Sequence, residues 1–157
     1  RGLKRAWSLD PEFSTALYNL GFVRLQQGDL LGSANHYAHA ARLYDQLFEN
    51  AERFNSLPDV VDSLKKEAAE LWNHRGFVAE KLGSKAGARP YYQKAIDLDP
   101  RKAQAHFNLA VTYWNNNWEM AARHLEEAVR LQPDDLKMVE SLNRARSFQQ
   151  GKQFRER

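Results

Sequence analysis

The chain has 157 residues, 43% hydrophobic and 27% charged, with a formal net charge of +3 and no cysteine. That composition suits a folded chain and excludes disulfides, zinc–thiolate sites and cysteine nucleophiles. No apolar run approaches the roughly 18 residues of a membrane span. The excess of positive charge is small and interleaved with acids, so it does not point to nucleic acid.

The elements follow in chain order, each with apolar residues at three- and four-residue intervals that predict amphipathic helices. Arg1-Gly2-Leu3-Lys4 has no apolar core behind it and is not a signal peptide. Residues 1–11 carry Leu3, Ala6, Trp7 and Leu9 and read as the second helix of a hairpin whose first helix is missing, so the chain is expected to be a piece of a longer array. Residues 12–45 read as a complete helical hairpin, turning at Gln27-Gly28-Asp29. Residues 46–68 read as an insertion that lengthens two helices. Leu47, Phe48, Ala51 and Phe54 share one face, and Val60, Val61, Leu64 and Ala68 share another. Ser56-Leu57-Pro58 divides them, with Pro58 suited to a first helical turn. About 10 extra residues per helix would carry this hairpin on the order of 15 Å beyond its neighbours. It is either a tolerated decoration or a contact surface for a partner or second subunit. Residues 69–100 and 101–133 read as two further hairpins, turning at Gly83-Ser84-Lys85 and Asn115-Asn116-Asn117. Residues 134–157 read as a capping helix that becomes polar and basic beyond Arg144, with Arg146, Lys152, Arg155 and Arg157.

Three series recur in phase. Ala6, Ala40, Ala95 and Ala128 lie 34, 55 and 33 residues apart; Gly21, Gly76 and Ala110 lie 55 and 34 apart; Tyr37, Tyr92 and Leu125 lie 55 and 33 apart. The unit is about 34 residues, with one interval enlarged by 21. Small residues at Gly21, Ser33, Gly76, Ala88, Ala110 and Ala121 let paired helices approach closely, and Pro11, Pro100 and Pro133 end three of the four aligned units, Asp45 standing at that place in the other.

At these positions the chain resembles the tetratricopeptide-repeat family. Leu17-Tyr-Asn-Leu20-Gly21, Trp72-Asn-His-Arg-Gly76 and Asn108-Leu-Ala110-Val-Thr-Tyr113 fit the first-helix pattern, and Ala88-x3-Tyr92-x2-Ala95 and Ala121-x3-Leu125-x2-Ala128 fit the second. The resemblance implies an all-α, right-handed α-solenoid, one hairpin of which has lengthened helices. It also implies a concave groove lined by the first helix of each hairpin. Phase relative to the small residue puts Asn19, His74 and Asn108 on that face, then Phe22, Phe77 and Val111. Further along come Gln26, Lys81, Trp114 and Asn115, with Arg144 on the capping helix. Asparagine offers donor and acceptor to an extended peptide backbone, and aromatics add apolar contact, unless they simply pack between hairpins. Asn19 and Asn108 resemble the asparagine ladder of O-linked N-acetylglucosamine transferases, which His74 interrupts. The positions at which chaperone-binding members clamp a terminal carboxylate carry Thr15, Asn19, Glu70, His74 and Gln104, which disfavours that ligand.

No catalytic pattern competes. His36 and His39 lack a third metal ligand, Gly83-Ser-Lys-Ala-Gly87 lacks phosphate-loop spacing, and Glu126-Glu127 and Asp134-Asp135 fall where solvent is expected. The expected function is a protein–protein interaction scaffold with a peptide or protein ligand, without metal, cofactor, nucleic acid or membrane insertion. The alternatives are a regulatory or substrate-recruiting segment of a larger enzyme, such as a glycosyltransferase or polysaccharide ligase, and a self-assembly module. The latter would form a homodimer through the open N-terminal face or the projecting hairpin.

Overall fold

A computed structural model describes residues 11–53 and 57–155, with the side chains of Arg53 and residues 152–155 left out. The expected helix through Leu3, Ala6, Trp7 and Leu9 lies outside the described residues. So do Phe54, Ser56 and Arg157, and the side chains of Lys152 and Arg155. The described residues form seven helices and no strand: α1 (Pro11–Gln26), α2 (Leu30–Arg53), α3 (Pro58–Lys81), α4 (Lys85–Leu98), α5 (Ala103–Thr112), α6 (Trp118–Leu131) and α7 (Leu136–Arg155). Each helix packs on its sequence neighbours, which makes an all-α solenoid of stacked hairpins.

The turns repeat one chemical scheme. The α1–α2, α3–α4 and α5–α6 connections each contain a left-handed residue, Gly28 (φ 79), Gly83 (φ 104) and Asn115 (φ 64). Glycine, and to a lesser extent asparagine, tolerates that conformation. Each following helix is capped by a side-chain oxygen that accepts the amide three residues on. Asp29 takes Gly32 N at 2.8 Å, Ser84 takes Gly87 N at 2.9 Å and Asn117 takes Met120 N at 3.1 Å. Asp135 caps α7 in the same way through Met138 N at 3.1 Å.

The in-phase residues of the sequence are the ones buried between helices. Gly21, Gly76 and Ala110 are buried on α1, α3 and α5. Ser33, Ala88 and Ala121, with Ala40, Ala95 and Ala128, are fully buried on the second helices. The bulky members Tyr37, Tyr92 and Leu125 fill the space the small residues leave. Tyr92 Oη donates to Glu80 at 2.9 Å, and Tyr44, buried further along α2, donates to Glu67 at 3.2 Å, whereas Tyr37 Oη has no hydrogen-bond partner among the described residues.

α2 and α3 have 24 residues each, against 14 in α4 and α6, so one hairpin has lengthened helices. Pro58 is the first residue of α3, where its missing N–H costs nothing. Leu47 and Ala51 are buried along α2, and Phe48 and Leu64 pack against the same cluster with Ala68. Val60, expected on that face, is half exposed, and Leu57 at the tip is more so. The apolar seam therefore runs out before the end of the hairpin.

Candidate functional site: one face of the first helices

α1, α3, α5 and α7 lie side by side, linked by side-chain bridges. Between α1 and α3, Tyr18 Oη meets His74 Nδ1 at 2.7 Å. The His74 ring is stacked on Tyr37 with centroids 6.2 Å apart, and Phe22 meets it edge-on at 5.9 Å. Burial raises the Tyr18 pKa well above the ordinary phenol value, so its hydroxyl stays protonated. With His74 in its Nε2–H tautomer Tyr18 Oη donates to Nδ1, and with Nδ1 protonated Tyr18 Oη accepts. Burial also lowers the His74 pKa, partly offset by the nearby Glu70 carboxylate.

Between α3 and α5, Asn108 Nδ2 donates to Asn73 Oδ1 at 2.9 Å, and Asn108 Oδ1 accepts from Gln104 Nε2 at 2.9 Å. Lys102, the residue before α5, forms an ion pair with Glu70 on α3. Between α5 and α7, the Lys137 ammonium stands 5.2 Å from the Phe107 ring centroid and the Arg144 guanidinium 5.5 Å from that of Trp114. Trp114 packs edge-on against Trp118 at 4.7 Å, and Trp118 stacks on Phe148 at 4.6 Å.

The residues singled out from the sequence thus fall into groups. Phe22 and His74 touch, Trp114 and Arg144 touch, and Lys81 lies over Phe77 at 5.2 Å. Asn108 is already bridged on both ends of its amide, to Asn73 and Gln104. Val111 is half-buried in the cluster that holds α5, α6 and α7 together. Asn19 and Gln26 are exposed on α1, with no side-chain hydrogen bond to another described residue. Asn115 occupies the left-handed position of the α5–α6 turn. Phe22 and Phe77 remain 40% and 37% exposed, so neither is consumed by packing between hairpins, whereas Phe107 is buried.

Sequence reasoning did not single out Lys102 and Lys137. The signal was present for Lys137, which precedes Arg144 by seven residues and so shares its helical face. Arg89 was also missed: it donates to Thr112 Oγ1 at 3.1 Å and to Thr112 O at 2.9 Å, tying α4 to the C-terminus of α5. His39 packs edge-on against Phe13. Among the described residues no group of three or more His, Cys, Asp or Glu is placed to hold a metal ion, and no helix is long and apolar enough to cross a membrane.

A family model described as TPR repeat matches residues 86–117. Human "Tetratricopeptide repeat protein 6" is 23% identical over 144 residues, covering 83% of this chain and 28% of the relative. The chain thus spans less than a third of that relative's length. Among solved structures, the first TPR of Spaghetti (RPAP3), bound to the HSP90 peptide SRMEEVD, has a TM-score of 0.67 at 16% identity, covering 88% of this chain and 94% of that one. A chain in the structure of the APC/C hetero-tetramer Cut9-Hcn1 has a TM-score of 0.66 at 22% identity, covering 82% of this chain and 22% of that one.

Proposed function

The chain belongs to the tetratricopeptide-repeat family, and on that premise we propose that the shared face of α1, α3, α5 and α7 binds an extended peptide segment of a partner protein. Proteins built of these repeats are typically non-catalytic scaffolds, and this chain is a protein–protein interaction module. The observation that carries the groove reading is the exposure of Phe22 and Phe77, which occupy the same phase on successive first helices beside exposed Asn19 and Gln26. Large apolar side chains are exposed elsewhere too, but these two recur at one phase of adjacent first helices and so fall on one strip. Rigid aromatics supply contact area at low entropic cost, and the neighbouring amides pair with a peptide main chain whatever its sequence. The first TPR of Spaghetti, bound to a peptide, lends the reading support by analogy of fold.

The test is to select peptides by display on the folded protein and map them by amide chemical-shift changes. Perturbations concentrated on α1, α3, α5 and α7, with affinity reduced about tenfold or more by Phe22→Ala combined with Phe77→Ala, are expected. Perturbations confined to α2, α4, α6 or the lengthened hairpin would sink the groove reading.

A further inference from the structure

We propose that the strip between α5 and α7 recognises a peptide carrying two carboxylates three residues apart in a polyproline-II conformation, whose three-residue period puts both on one face. This deepens the groove reading above and rests on it. Two cations face the strip from α7, Lys137 and Arg144, and both are exposed. Five ion pairs form among the described residues, and neither cation takes part in any of them. Each is instead held over an aromatic ring of the neighbouring segment, Lys137 over Phe107 and Arg144 over Trp114. In both pairs the partners are separated by the same 30 positions, so α5 and α7 run in register and present the cations as an aligned pair.

An aromatic face fixes the cation's position but satisfies none of its N–H donors. The result is two positioned, undercommitted cations with Val111 and Ser141, both half-buried, between them. Seven residues of helix separate the two by about 10 Å along the axis. Three residues of polyproline-II peptide span about 9 Å and return the side chain to the same face. Other carboxylates on the first-helix face are committed or opposed: Glu70 pairs with Lys102. Glu140 lies between the cations along α7 without pairing to either, and it repels an acidic ligand.

The experiment uses the full chain and an array of acetylated, amidated dodecapeptides. Each has two Glu residues two, three, four or seven positions apart in a Ser/Leu/Val background, with Gln counterparts, and is titrated by fluorescence anisotropy. The three-residue spacing is expected to bind tightest, with its Gln counterpart weaker by about fivefold. Lys137→Met and Arg144→Met keep the apolar stem and should each cost about threefold. Glu140→Gln should tighten binding about twofold, and Phe22→Ala should leave the preference for acid unchanged. Equal affinity for Glu and Gln peptides overturns this inference while the groove reading stands. No binding by any peptide of the array overturns this inference, and the displayed peptides decide the groove reading separately. Tighter binding of single-stranded RNA or phosphatidylserine vesicles through Lys137 and Arg144 overturns the peptide assignment.

Discussion

The Tyr37 ring occupies the place a side chain at Gly21 would need: a Cβ there would come within 2.6 Å of the ring carbons Cδ1 and Cε1. The same relation holds between Gly76 and Tyr92, at 2.5 Å. In the third hairpin Ala110 replaces the glycine and Leu125 the tyrosine, and both sit in one buried cluster. The chain thus contains two solutions to one packing problem. Replacing an unhindered helical glycine by alanine usually stabilises by about 1 kcal/mol. Here Gly21→Ala should instead destabilise by roughly 1–3 kcal/mol through overpacking. In a Tyr37→Leu background the same change should become neutral or favourable, giving a clear coupling in a urea-denaturation cycle. Additive effects would show that the ring does not set the requirement for glycine.

Asn108 was attractive from the sequence as a ligand-facing amide, and its bonding changes what its mutation reports. Asn73 is 5% exposed, and the recorded partner of its Oδ1 is Asn108 Nδ2. Asn108→Ala would strand that oxygen, at a cost of about 1–3 kcal/mol. Asn19→Ala, at an exposed site, should stay within about 0.5 kcal/mol of the parent. Thermal melts of the two variants check this. Equal stabilities would mean that the α3–α5 amide bridge carries no weight.

Acidification acts on His74. Its folded pKa is depressed below 6.5, mainly by burial, with Glu70 opposing and Lys102 reinforcing. In the window between the folded value and 6.5, the unfolded chain binds more protons than the folded one, so stability falls as pH falls. Above 6.5 the contribution is constant. The structural reason is local: the imidazolium would be a charge half-buried among the Tyr18, Tyr37 and Phe22 rings, short of the water that solvates it in the unfolded chain. His124, half-buried against Tyr113 and also depressed by burial, acts in the same direction. Urea midpoints should drop between pH 7 and pH 5, and His74→Gln should flatten that slope. A slope unchanged in His74→Gln would assign the acid sensitivity elsewhere.

The packing was legible in the sequence because it is periodic. Small residues at Gly21 and Gly76 and bulky ones at Tyr37 and Tyr92 repeat with the hairpin, and steric complementarity depends on residue type alone. The insertion was legible as two helices because Leu47 and Ala51, and Leu64 and Ala68, keep helical spacing across it. The bridges along the first-helix face were less legible, because they depend on axial register. Phase aligns Asn19, His74 and Asn108, yet Asn108 bonds Asn73, and His74 bonds Tyr18. Each bond falls one residue off phase, an offset that spacing does not reveal. The cation–aromatic pairs at Lys137 and Arg144 depend on the same register between α5 and α7.

The lengthened hairpin should show a gradient of mutational sensitivity along its axis. Near its base, Leu47 is buried at 8% exposure in the cluster that includes Tyr44 and Ala68, and Tyr44 is tied across to Glu67. Burial pushes the Tyr44 phenol up to about 12, so it remains a donor throughout the neutral range. Leu47→Ala removes buried methyl groups and leaves a cavity, which should cost about 2–4 kcal/mol. Val60, toward the tip, is 51% exposed, and Val60→Ser should change stability by less than about 0.5 kcal/mol. Hydrogen exchange should follow the same order, with amides near Val60 exchanging through local opening and those near Tyr44 only through larger unfolding. Equal protection at the two ends, or a Val60→Ser penalty matching that of Leu47→Ala, would mean that the tip is buried in solution. The covering surface would then have to come from another molecule, and the concentration dependence of the melting temperature would report it.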